Sequence, residues 1–142
     1  MIGAIIGDIV GSRFEFGAAP QQGFELFTPD CSYTDDTICT IAIADAVLNE
    51  RDYQESLLDW CRRYPDPMGG YGRRFYQWIN ADNPQPTDSF GNGSAMRVSP
   101  IGWLFDEWED VIEEAKKSAI VSHNHPEGIK GAQCIAEAIC WL

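Results

Sequence analysis

The stretch 35–49 limits the possible folds more than any other part of this chain. Thr34 can accept a hydrogen bond as a helix cap, and behind it Ile38, Ile41, Ala42, Ile43, Ala44, Ala46, Val47 and Leu48 make the helix apolar almost all round. A helix with no polar face has to be surrounded. The periodicity of the other segments says that helices surround it. Ile2, Ile5, Ile6 and Ile9 recur at i, i+3, i+4, i+7, with Gly3, Gly7 and Gly11 on a second face where another backbone can come close. Glycines inside a helix cost about 0.5–1 kcal/mol each relative to alanine, so this run predicts a central, closely packed helix. Asp52 caps a third pattern, Tyr53, Leu57, Trp60, Cys61 and Tyr64, which Pro65 and Pro67 stop. Further stripes cover 71–79, then 94–104 despite Pro100, then a run with Trp108, Val111, Ile112, Ala115 and Ala119. Pro126 opens the last, with Ile129, Ala132, Ile135, Ala136 and Ile139 as its stripe. No stretch alternates like a strand over more than a few residues, so the expected class is all-α.

Residues 1–142 are expected to form one domain, large enough to bury about 68–70% of the surface of its unfolded chain. Ten Lys and Arg against 22 Asp and Glu leave a net charge of −12. With no local basic patch in view, that charge argues against a duplex-binding surface held by phosphate contacts. A phosphorylated small molecule is still compatible, if metal ions or backbone amides supply the positive field. Cys31, Cys39, Cys61, Cys134 and Cys140 are odd in number and show no C-x-x-C spacing. They point away from a disulfide framework or zinc knuckle and towards a reducing, cytoplasmic compartment. The apolar start carries Asp8 and no basic leader, unlike a signal peptide, and no apolar run approaches the ~20 residues that cross a bilayer. The last helical pattern still runs at residues 139–142 without a Gly, Asn or Pro stop. It reads either as a chain cut inside a helix or as a natural helix end that frays, and on the first reading the apolar face left open predicts self-association or a complementary C-terminal chain.

Four segments hold polar residues that a plain bundle does not need. Asp35 and Asp36 are adjacent acids in the first turn of the apolar helix. The helix dipole stabilises an acid there by about 0.3–1 kcal/mol, but two in succession repel, and with Thr34 and Thr37 they offer the hard oxygens that Mg²⁺ requires. Both readings stay open at this point. Glu15 ends the first helix, where the dipole disfavours a carboxylate, and a specific role fits it better than a solvated surface. Asp8, inside an apolar stripe, is expected to position its neighbours by hydrogen bonds rather than to react. Gly91, Asn92, Gly93 and Ser94 stand at the end of a long turn-rich loop over 80–93. They read either as a helix cap or as backbone N–H groups arranged for a diphosphate, with Arg97 a helper or an internal salt-bridge partner. His123 and His125 precede Pro126 without a third ligand for zinc, yet both histidines of the chain falling within three residues mark a site.

Taken together, the four segments resemble the ADP-ribosylglycohydrolase superfamily over essentially the whole chain and in the family's order. They are G-D-x-x-G-x-x-x-E from Gly7 to Glu15, T-D-D-T from Thr34 to Thr37, G-N-G-S-A-M-R from Gly91 to Arg97, and S-H-x-H-P-E-G from Ser122 to Gly128. The resemblance implies a multi-helix orthogonal bundle around a dinuclear Mg²⁺ or Mn²⁺ site. It implies hydrolysis of the bond between ADP-ribose and a protein side chain or other acceptor. By motif position, Thr34, Asp35 and Asp36 are the implied metal ligands, and Glu15 and Asp36 the implied catalytic carboxylates. Gly91, Asn92, Gly93, Ser94 and Met96 would contact the phosphates and ribose, with His123 near the diphosphate. One element of the family pattern is missing: a second acidic cluster, D-x-D-T, that completes the metal pair. The acidic run from Asp106 to Asp110 reads instead as a solvated face, so the resemblance extends to the N-terminal half of the family's domain.

Overall fold

The computed structural model describes residues 1–142 as seven α-helices. They are α1 (Ile2–Gly11), α2 (Asp35–Leu48), α3 (Tyr53–Arg63), α4 (Arg73–Ile79), α5 (Ser99–Leu104), α6 (Trp108–Ile120) and α7 (Pro126–Cys140). Short 3₁₀ turns at Ser12–Phe14 and Asn92–Ser94 complete the regular structure, and the only β-type pairing is one isolated parallel bridge between Thr87 and His123. The all-α expectation holds. No helix is long and apolar enough to cross a membrane.

α2 is the interior helix that its composition demands. Cys39, Ala42 and Ile43 are wholly buried, and α1, α3 and α5 pack around it. Its start is fixed by the Thr34 hydroxyl, which accepts from the Asp36 amide at 3.2 Å, a cap of the kind that contributes roughly 1 kcal/mol. Asp52 does the same for α3, accepting from the Glu55 amide at 3.0 Å. Small residues let α2 and α3 approach: the Ser56 hydroxyl donates to the Ala42 carbonyl at 2.7 Å, and the Cys39 and Cys61 sulfurs lie 3.9 Å apart. All five cysteines are free thiols. Leu57, Phe75, Trp78, Val98, Ile101, Val111, Ala119 and Ala136 close the core from α3 through α7.

Several expectations need correction. α1 is not central: it buries no residue, Ile2 and Ile6 are 70% and 46% exposed, and a Cβ added at Gly3, Gly7 or Gly11 would meet nothing within 4 Å. Periodicity identified its apolar face, but the neighbour that covers such a face is set by tertiary packing, to which periodicity is blind. α4 begins at Arg73 rather than residue 71, after a turn in which Gly69 and Gly70 take positive φ. The helix expected over 94–104 is split, because Pro100 has no amide to continue an earlier ladder and is accommodated in the first turn of α5.

Candidate functional site

The acidic pair is anchored from behind by α1. Asp8 Oδ2 accepts from the Thr34 amide at 2.9 Å and the Thr37 hydroxyl at 2.5 Å, while Oδ1 accepts from the Thr34 hydroxyl at 2.6 Å. A carboxylate satisfied by three donors is a positioning group, as its place in an apolar stripe predicts. It clips α1 to the first turn of α2, where Asp35 and Asp36 begin.

Successive residues of a helix point about 100° apart, and the two aspartates accordingly face two different cavities. Asp36 shares a cleft of about 430 Å³ with Gly7, Asp8, Gly11, Ser12, Glu15, Thr34 and Asn92, with no apolar residue and no basic side chain in its lining. Asp35 faces a cavity of about 360 Å³ that also takes in Gly91, Asn92, Gly93, Met96 and His123. Asn92 belongs to both, so the two compartments meet there. Glu15 follows the 3₁₀ turn after α1, and the 68–70 turn comes so close that a Cβ at Gly69 (φ +79°) would stand 3.2 Å from Glu15 Oε2. Only glycine combines that backbone with that approach.

Negative charge in the Asp36 cleft has no basic side chain beside it. Burial pushes the Asp35 carboxyl up to about 7, and the nearby Asp36, Glu15 and Asp8 carboxylates push the same way. Asp36 is raised by burial and then by Asp8 and Glu15. The nearest arginine in sequence, Arg13, turns away to the Thr28 hydroxyl and the Glu25 carbonyl. Such an arrangement suits a hard divalent cation in donor chemistry: carboxylates, a threonine hydroxyl and, in the Asp36 cleft, no basic side chain. The set is partial, since no three acidic, cysteine or histidine side chains of the chain stand together as a metal-ligand group.

The second cavity is organised from its rear wall. Arg97 is wholly buried and makes no ion pair, which corrects the salt-bridge expectation; its Nη2 donates to the Ser118 carbonyl and to Ser122 Oγ, both at 2.8 Å. Ser122 Oγ stands 2.9 Å from His123 Nδ1. Having accepted from Arg97, the hydroxyl gives its proton to Nδ1, and this network assigns the remaining ring proton to Nε2. Burial, with the Arg97 charge adding to it, lowers His123 to about 4, so the ring is neutral at pH 7. The Cε1 and Nε2 edge of the ring faces Gly93 so closely that a Cβ there would be 2.8 Å from both atoms. The Thr87 amide and hydroxyl donate to the Ser122 carbonyl at 3.0 and 2.9 Å, tying the 80–93 loop to the same wall.

Two of the expected site residues are used otherwise. Ser94 is fully buried outside both cavities and donates to the Gly128 carbonyl at 2.8 Å, locking the turn onto α7. His125 caps α7, its Nδ1 accepting from the Glu127 amide at 3.1 Å. Conversely, Arg73, Arg74, Phe75, Trp78 and Thr87 line the Asp35 cavity and were not singled out from sequence. The signal available for the first two was an Arg-Arg pair after a glycine-rich turn in an acidic chain.

Comparison with known proteins shows which family the chain is similar to. The ADP-ribosylhydrolase ARH3 of Xenopus tropicalis is 28% identical over 169 residues, covering 98% of this chain and 48% of that protein. Human ARH3 is 28% identical over 174 residues, covering 98% and 47%. A protein of Escherichia coli (strain K12) described as uncharacterized, YegU, is 28% identical over 123 residues, covering 75% and 36%. The chain thus spans about half the length of the ARH3 relatives it matches. The family model described as ADP-ribosylglycohydrolase matches residues 1–142, and with these relatives and this all-helical architecture the chain belongs to the ADP-ribosylglycohydrolase family.

Proposed function

We propose that these residues form the ADP-ribose-binding and acid/base part of a metal-dependent hydrolase that cleaves the glycosidic bond between ADP-ribose and a modified protein side chain or other acceptor. The observation that carries the reading is the junction of two compartments at Asn92. One is all polar and anionic; the other holds a neutral histidine and a glycine turn. Thr34, Asp35 and Asp36 would hold part of a Mg²⁺ or Mn²⁺ centre. When bound, such ions supply Lewis-acid polarisation and neutralise developing negative charge. Glu15 is the group for proton movement at the bond that breaks: it protonates the departing acceptor atom, or takes a proton from the attacking water, as C1″ passes through an oxocarbenium-like state. Asp36, in the same cleft, acts with it. His123 offers Nε2–H to a phosphate oxygen. The amides of Asn92 and Gly93, which have no acceptor in the chain, offer two further donors, and Met96 lends an apolar contact beneath the sugar. Asp8 reacts with nothing and keeps the first turn of α2 in place.

A binding or structural domain without turnover is the competing reading, favoured by the partial ligand set. Glu15→Gln separates the two. Amide and carboxylate are nearly isosteric but only the carboxylate exchanges protons, so calorimetry should show ADP-ribose binding retained while hydrolysis of an ADP-ribosylated substrate falls at least about 100-fold. Turnover within a few-fold of wild type removes Glu15 from the mechanism; ADP-ribose binding with no wild-type turnover favours the competing reading.

A further inference from the structure

The chain has seven arginines among its ten basic residues, and five of the seven are engaged inside the protein. Arg51 pairs with Asp45 and Asp59. Arg62 donates to the Ile79 and Ala81 carbonyls, and Arg13 to Thr28 and Glu25. Arg63 lies over the Trp60 ring, and Arg97 is buried. Arg73 and Arg74 are exposed, make no hydrogen bond or ion pair, and both line the Asp35 cavity. They are not on a wandering loop. The next residues of α4, Phe75 and Trp78, are buried and stacked with ring centroids 5.3 Å apart, and Phe75 packs 6.2 Å from His123. That packing fixes the register of α4 and holds the arginines in the cavity's lining.

The cavity lining therefore carries both signs of charge. Asp35 borders the carboxylates of the adjoining cleft, and the two arginines supply the cavity's basic side chains. A ligand with an anion at one end and hydroxyls at the other is favoured in one direction only, because reversal sets its anion against Asp35. We propose that Arg73 and Arg74 form a side-chain clamp that captures the diphosphate of a nucleoside-diphosphate ligand and sets its direction in the cavity. The inference rests on reading this cavity as the ADP-ribose site and adds a positive field of side-chain origin that the glycine turn does not provide. Both are positioning residues; neither touches the bond that breaks.

The test is calorimetric titration of the 142-residue chain with ADP-ribose, inorganic pyrophosphate and adenosine at about 50 and 200 mM KCl, conditions that change screening. Wild type is compared with Arg73→Gln/Arg74→Gln and Arg73→Lys/Arg74→Lys. Both side chains are exposed, so all three proteins should melt alike. The glutamine variant should bind ADP-ribose and pyrophosphate about 10-fold more weakly, with a flattened salt dependence and unchanged adenosine binding, and lysine should restore part of the loss. Equal ADP-ribose affinity and salt dependence in wild type and the glutamine variant overturns the clamp and leaves the reading of the cavity standing. So does a loss that extends equally to adenosine. Arginine-dependent pyrophosphate binding without ADP-ribose binding keeps the anion clamp and overturns the cavity's assignment. Binding of neither anion by wild type overturns both.

Discussion

Replacing Gly93 with alanine puts a methyl carbon 2.8 Å from Cε1 and Nε2 of His123. Among the glycines only Gly23, Gly69 and Gly70 have positive φ, so the Gly93 backbone accepts alanine without strain and the effect is purely steric. Carbon contacts relax at about 3.5–4.0 Å, which requires the ring to retreat by roughly 0.7 Å or more. It has little room, because Nδ1 is held 2.9 Å from Ser122 Oγ, Arg97 holds that hydroxyl, and Phe75 packs against the ring. Overpacking of this kind costs about 1–3 kcal/mol, and a broken Nδ1 hydrogen bond adds about 1 kcal/mol. The reduced freedom of the unfolded chain returns about 0.4–1 kcal/mol. The net loss is about 1–4 kcal/mol, which for a domain of this size lowers Tm by roughly 3–12 °C. Thermal melts of Gly93→Ala, His123→Ala and the double variant form a cycle that isolates the contact. In the His123→Ala background the glycine substitution should be neutral or stabilising. A Gly93→Ala protein that melts with wild type, or that loses as much without the imidazole as with it, refutes the steric account.

Three other outcomes are expected. Because His123 is lowered to about 4 from an ordinary 6.5, the unfolded state takes up the proton first on acidification. Its contribution is therefore whole above pH 6.5 and is lost as pH falls from 6.5 to 4. The shift corresponds to at most about 3 kcal/mol, less where solvent reaches the ring from the cavity; urea unfolding should show a shallower acid loss for His123→Gln than for wild type, and equal pH slopes would rule this out. Mn²⁺ should bind the chain more weakly, by about 10-fold or more, after Asp36→Ala, and identical titration curves for the two proteins would remove Asp36 from any metal site. With Ile2, Ile6, Trp103 and Trp141 exposed, the chain should associate at micromolar concentration and take up a hydrophobic dye. A strictly monomeric, dye-silent species in sedimentation equilibrium would count against it.

What the residues revealed in advance was decided by local chemistry. Thr34, Asp52 and Pro126 announce helix starts because capping and missing amides act within one turn, and all three starts lie where these residues put them. Asp8 was legible as a positioning group because a carboxylate in an apolar stripe needs donors. The misses have a different origin. The exposed face of α1, the burial of Ser94 and the turning of Arg97 towards Ser122 are set by contacts between residues distant in sequence. Arg73 and Arg74 escaped notice because their importance depends on which cavity α4 borders.

The first turn of α2 acts as a partition wall with a carboxylate on each side, and its register is set by a single residue. Inserting or deleting one residue between Thr34 and Asp36 would swing the following side chain by about 100°, moving it from one chamber to the other. The protein thus reads two neighbouring letters of its sequence as addresses for two rooms. Evolution or design can alter the occupant of one room by changing one letter, but cannot shift the phase of the helix without mixing both.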